Sequence, residues 1–244
     1  MKEEYETKLE KETNVLQRDF PEYTAVKTNL LQEILQKTAL EKTDFYLTVT
    51  TVLTVMEGND LPQVLSMAID DGIPAASLQE VFHQTAPYVG FCKAEKGLAQ
   101  FGQICREKGL ALPLAANSTT TQKNRLEAGI AVQQSIFGKE NITSMRQNAP
   151  ADEKKLQDFL SAYCFGDTYT RKGLEVKERE LITFVCIAAL GGCENQLRAH
   201  TSANLSVGNT RLKLLEALQV MLPYIGFPRT LNAVAVVDAI AKKQ

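Results

Sequence analysis

Two histidines occur in the 244 residues, His83 and His200, and only His200 sits among groups that could work with it. The segment Cys193-x-x-Gln196-Leu197-Arg198-Ala199-His200 places a thiol seven residues, an amide four residues and a guanidinium two residues ahead of the imidazole. Glu180 lies upstream of this segment, beside Arg179 in the mixed run Lys177-Glu178-Arg179-Glu180. Imidazole moves protons at neutral pH, and a guanidinium fork orients a carboxylate. A carboxylate near a buried helix start either orients the imidazole or, with its pKa raised by burial, serves as general acid. His200 and Glu180 are therefore candidate catalytic groups for acid–base chemistry, and Arg179 and Arg198 candidate binders of an anionic substrate.

Cys193 points to a different chemistry. Seven residues of helix rise about 10 Å, so its thiol and His200 cannot touch along one helix. Cys186 stands a further seven residues back, outside the approach of about 7 Å that a disulfide needs. A thiol at a helix N-terminus is nevertheless placed for a lowered pKa and attack on peroxide, with an external thiol resolving the sulfenic acid. Each candidate also has a structural alternative. The charge run suits a solvated helix start, His200 a satisfied core histidine, and Tyr224 packing at a helix kink.

The elements that must position these residues are helical nearly throughout. Leu181 to Leu190 is apolar on every side and reads as a buried central helix, closed by Gly191-Gly192. A new helix opens near Cys193-Glu194 and runs through Leu197, His200 and Leu205 to Gly208. From Arg211 to Leu222 apolar residues recur at intervals of three, four and seven, the mark of an amphipathic helix that Pro223-Tyr-x-Gly-Phe ends or kinks. A single constant shift of the chain against itself lays Leu61 on Leu197, Gly72 on Gly208, Leu78 on Leu214, Glu80 on Glu216 and Pro87–Phe91 on Pro223–Phe227. One register accounts for all of these, so the chain reads as two tandem helical modules. The first covers residues 1–110, the second residues 125–244, and residues 111–124 form the linker. The β-branched run Thr48–Val55 has strand propensity, yet the repeat ties it to a helix, and propensity is a weak prior.

Composition bounds the rest. Twenty-seven Lys+Arg against 29 Asp+Glu give a net charge of −2, which argues against a nucleic-acid partner. The charged N-terminus holds no apolar core of a secretory signal, and Leu181–Cys193 is too short to span a bilayer, so a cytoplasmic location without membrane association is expected. Cys92, Cys105, Cys164, Cys186 and Cys193 show no disulfide framework, and all but Cys193 read as small buried hydrophobes. There is no Gly-rich phosphate loop and no Cys/His metal spacing, so neither an organic cofactor nor a metal is expected.

The second module resembles the carboxymuconolactone decarboxylase family, which includes the alkylhydroperoxidase D group. The likeness rests on RLEAGIAVQQSIFGKENI (Arg125 to Ile142), AYCFGDTYTRKGL (Ala162 to Leu174), KERELIT (Lys177 to Thr183), LRAH (Leu197 to His200) and PYIGFPRTLNA (Pro223 to Ala233), in that order. The resemblance implies an all-α fold of modules that assemble as homo-oligomers, here a trimer imitating a hexamer of single modules. It further implies cofactor-independent decarboxylation of a small carboxylated lactone or related acid, or peroxide reduction of the kind a Cys-x-x-Cys-x-x-x-His thiol site performs, here with Cys193; a non-catalytic assembly protein whose fold outlived its activity is the remaining alternative. Glu180 and His200 occupy the family's functional positions, and Gln196 and Tyr224 join Arg179 and Arg198 as candidate substrate contacts. Three features depart from the pattern. Gln196 replaces the second cysteine, the chain contains no Trp where the family carries W-G-x-x-W (Phe165-Gly166 and Tyr169 stand in), and the Glu180–His200 interval is one residue longer. The first module carries Asp44, Glu57, Asp60 and Val64 opposite Glu180, Cys193, Gln196 and His200, so only the second can hold a family-type site.

Overall fold

A computed structural model describes residues 14–242; the charged segment over residues 1–13 lies outside them. The described residues form helices and connecting turns with no strand. In order they are α1 (Asn14–Asp19), α2 (Pro21–Lys37), α3 (Lys42–Met56), α4 (Leu61–Asp70), α5 (Ala75–Val89) and α6 (Phe91–Glu107). After a stretch without helix over residues 108–124 come α7 (Arg125–Phe137), α8 (Lys139–Asn148) and α9 (Lys154–Phe159). A π-helix (Leu160–Tyr169) then leads to α10 (Val176–Leu190), α11 (Glu194–Ser206) and α12 (Arg211–Ala241).

Two helices buried on every side, α3 and α10, pack against each other at the centre. Leu47, Val52 and Val55 of α3 share one core with Leu181, Ile182, Phe184 and Val185 of α10 and with Leu214, Leu218 and Met221 of α12. Burial of this kind overrides the strand propensity of Thr48–Val55. Two of its threonines turn their hydroxyls to the helix itself, Thr51 to the Leu47 carbonyl and Thr54 to the Thr50 carbonyl. α10 begins in a reciprocal cap in which the Glu178 carboxylate accepts from the Glu175 backbone N–H at 2.7 Å.

Gly191 (φ 67°) and Gly192 (φ 70°) end α10 as their left-handed backbone requires. α12 breaks at Gly226 (φ 73°, ψ 167°), and α5 and α6 meet at Gly90 (φ 82°, ψ 159°), the glycine that the repeat register sets against it. By length and composition alone α12 is apolar enough to cross a membrane. Its two straight pieces, residues 211–225 and 227–241, each fall short of the roughly 20 residues a span needs. Leu214, Leu218 and Val237 of this helix are fully buried in the core.

A second contact fixes the π-helix. Gly129 of α7 and Gly166 of the π-helix bring two backbones together, because a Cβ on Gly129 would strike the Ser161 carbonyl and one on Gly166 the Arg125 carbonyl. The Gln133 side-chain carbonyl accepts from Ser161 Oγ at 2.5 Å beside this crossing. The π-helix is thereby laid along α7 with Cys164, Phe165 and Tyr169 facing inward, all buried. Of the cysteines expected to be buried, Cys105, Cys164 and Cys186 are, whereas Cys92 is exposed near the start of α6.

Candidate active site

The site begins with the way α11 is tied to α10. Asn204 donates from Nδ2 to the backbone carbonyl of Glu180 at 2.8 Å and to that of His200 at 2.7 Å. Asn209 in turn donates to Asn204 Oδ1 at 2.8 Å and to the Lys177 carbonyl at 2.7 Å. These bonds set the register of the two helices. They bring His200 Nδ1 to 2.8 Å from Glu180 Oε2, with Glu180 fully buried and His200 7% exposed.

Both carboxylate oxygens are engaged. Tyr169 donates its phenolic proton to Glu180 Oε1 at 2.7 Å, and its oxygen lies 2.9 Å from Thr183 Oγ1. Tyr88 of α5 reaches in from the N-terminal half, with its hydroxyl 3.4 Å from that of Tyr169, and accepts from Cys164 Sγ at 3.5 Å. The imidazole is held edge-to-face by two rings, Phe137 at 5.4 Å and Tyr88 at 5.9 Å between centroids. Phe165 stacks on Tyr169 at 4.9 Å.

Burial, with the nearby Glu180 charge acting in the same direction, pushes the Tyr169 phenol well above the usual value of 10. Burial likewise lifts Tyr88 well above it and the Cys164 thiol to about 12. All three keep their protons at neutral pH and act as hydrogen-bond donors. The arrangement is a histidine–carboxylate pair wrapped in aromatic rings, with three protonated groups beside it.

Arg179 is placed elsewhere, and the expectation of a fork free to hold a substrate carboxylate is corrected. It is fully buried and donates to Glu80 Oε2 at 3.1 Å, Gln84 Oε1 at 3.2 Å, the Arg171 carbonyl at 2.8 Å and the Lys172 carbonyl at 3.2 Å. Burial works to raise Glu80. The hydrogen bonds and charge of Arg171, with Arg179 behind it, nevertheless hold its carboxyl below the usual carboxylate value. Asn117 completes the cluster, donating to Glu80 Oε1 at 3.1 Å. The guanidinium next to Glu180 in sequence thus joins the two halves of the chain.

The other candidates do not join the pair either. Arg198 is exposed and, two residues from His200, falls about 200° away around α11. Gln196 is exposed one turn before His200. Tyr224 is half-buried between the two main core clusters just before the Gly226 break. Cys193 caps α11, with Sγ 3.5 Å from the Gly191 carbonyl. It lines a hollow of about 260 Å³ together with Leu197, Arg229 and Asn232, and His200 does not line that hollow. Sequence reasoning passes over Thr183, Gln84 and Tyr88 as site residues, and takes Tyr169 only as a stand-in for a family tryptophan.

Residues 154–239 match the sequence profile of the carboxymuconolactone decarboxylase family. The chain is 27% identical to a 4-carboxymuconolactone decarboxylase of Acinetobacter baylyi over 120 residues, 49% of this chain and 89% of that protein. It is 26% identical to the nitrosuccinic acid decarboxylase of Metarhizium robertsii over 125 residues, 50% of this chain and 87% of that protein.

Proposed function

We propose, from the match of residues 154–239 to the carboxymuconolactone decarboxylase family and the likeness to two decarboxylases, a cofactor-independent decarboxylase acting on a small carboxylated lactone or related acid. The observation that carries the proposal is the buried contact of 2.8 Å between Glu180 Oε2 and His200 Nδ1. A carboxylate on Nδ1 orients the ring and leaves Nε2 to meet the substrate. In the step, the bond between carbon and the departing carboxylate breaks and carbon dioxide leaves. The electron pair passes into the neighbouring acceptor group, and His200 takes up a proton from water on its free Nε2 and delivers it to the carbon skeleton. The sequence balances without an oxidant or reductant. The names of both relatives describe loss of a carboxyl group from a small acid.

His200→Ala and Glu180→Gln test the reading. Carbon dioxide release from a carboxylated lactone is expected to fall about 10²–10⁴-fold in the first, with a smaller loss in the second. Undiminished turnover in His200→Ala ends it. We read the N-terminal half as a diverged copy of the family module that has lost this pair. The helix ranges support that reading, since α3, α4 and α5 recur in the register of the sequence repeat as α10, α11 and the first part of α12. A backbone superposition of residues 42–106 on 178–242 in which those helices fail to overlay would remove it.

A further inference from the structure

The N-terminal half carries no histidine at the position of His200, yet it reaches the pair through its own side chains. We propose that Gln84 of α5 is a positioning residue for Glu180 and His200. With Arg179 it fixes the direction of a donor chain that ends at the Glu180 carboxylate, whose other oxygen takes the Nδ1 hydrogen of His200 and leaves Nε2 as the atom that exchanges protons with substrate. The inference deepens the decarboxylase reading and rests on it for its catalytic consequence.

The direction follows from the two ends of the chain. A guanidinium has donors only and a carboxylate acceptors only. Arg179 Nη1 donates to Gln84 Oε1 at 3.2 Å, so the amide nitrogen faces the other way and donates to Thr183 Oγ1 at 3.1 Å. Thr183 must then give its single proton to the Tyr169 oxygen, 2.9 Å away. Tyr169 gives its own to Glu180 Oε1 at 2.7 Å, and Glu180 Oε2 receives the Nδ1 hydrogen of His200. The amide sets the orientations as far as Thr183, and the Glu180 carboxylate sets those of Tyr169 and His200. Glu80 holds Arg179 in place, so turning the Gln84 amide would aim an NH₂ group at a cation.

The repeat register supplies a second observation. It sets Gln84 against Val220 and Thr183 against Leu47, both apolar and buried. The polar pair is present only on the side where it leads to a histidine. Around the ring the titratable groups are Glu180 from α10, Tyr88 from α5, and Tyr169 and Cys164 from the π-helix, while α7 presents Phe137. Beyond Gln84 the charged groups are Arg179, Glu80 and Arg171.

With two histidines in the chain, imidazole ¹⁵N and ¹H spectra of the full-length protein are readable, and His83→Gln assigns them. The expected wild-type result is a His200 ring protonated on Nδ1 and bare on Nε2, with a downfield, slowly exchanging Nδ1 hydrogen. Gln84→Met and Thr183→Val are expected to shift that resonance and speed its exchange about tenfold. Thr183→Ser keeps the hydroxyl and is expected to restore it. Backbone amide spectra report whether each variant is folded. A wild-type ring protonated on Nε2 overturns the proposal, as does a resonance and exchange rate unchanged in both Gln84→Met and Thr183→Val. The spectra need no substrate, so this failure is distinct from retained turnover in His200→Ala.

Discussion

Tyr169 is the residue on which the candidate site closes. Its hydroxyl satisfies the Glu180 oxygen that His200 leaves over, and it receives hydrogen bonds from the groups behind it. Removing that oxygen leaves a fully buried carboxylate with one unpaired lone-pair face, and an unsatisfied buried group costs about 1–3 kcal/mol. Tyr169→Phe is expected to lower stability in urea unfolding by that amount, whereas Phe165→Leu next to it should act through packing alone. His200 and Glu180 are legible as candidates because a carboxylate stands at the start of an apolar helix and an imidazole in LRAH, both in the register of the family resemblance. Arg179 is misread for an equally local reason. In sequence it belongs to a charged helix start, but its partner Glu80 lies 99 residues away in another helix, and no local pattern announces that pairing.

At the scale of elements, the pair depends on two helix crossings. Asn204 and Asn209 dock α11 on α10, and the Gly129–Gly166 contact lays the π-helix so that Tyr169 arrives at Glu180. The collision a Cβ would meet at Gly129 is with backbone, which has no rotamer to escape into. Gly129→Ala is therefore expected to cost about 3 kcal/mol or more and to displace the π-helix. Thermal unfolding measures the first effect and a loss of Tyr169-dependent near-ultraviolet signal the second. The helices α10, α11 and α12 are readable from an apolar run, apolar periodicity and glycine breaks, and α3 only through the repeat register. The π-helix is not, because its wider turn arises from the crossing with α7, and FGDTY carries no periodicity of its own.

For the molecule as a whole, Glu80 is the joint. It receives Arg171, Arg179 and Asn117 from beyond its own half while fully buried. Glu80→Gln leaves two guanidinium groups without their counter-charge, and a loss of about 3–5 kcal/mol is expected in denaturant unfolding. The pH dependence has a fixed sign. The folded carboxyl lies below its ordinary value of 4.5, so its stabilisation is complete above about pH 4.5 and disappears as pH falls through the folded value. The wild type should lose stability over that acid range more steeply than Glu80→Gln, and unfolding midpoints between pH 3 and 6 measure the difference.

That joint bears on how such a chain could be divided. The natural place to cut is the helix-free connector over residues 108–124. A cut there severs no helix, but Lys172 donates to the Asn117 carbonyl and Asn117 to Glu80, so the connector itself is stitched to both sides. Neither fragment alone satisfies Arg179. Fission of the gene at this point would create an obligate heterodimer whose subunits recognise each other through a buried ion cluster.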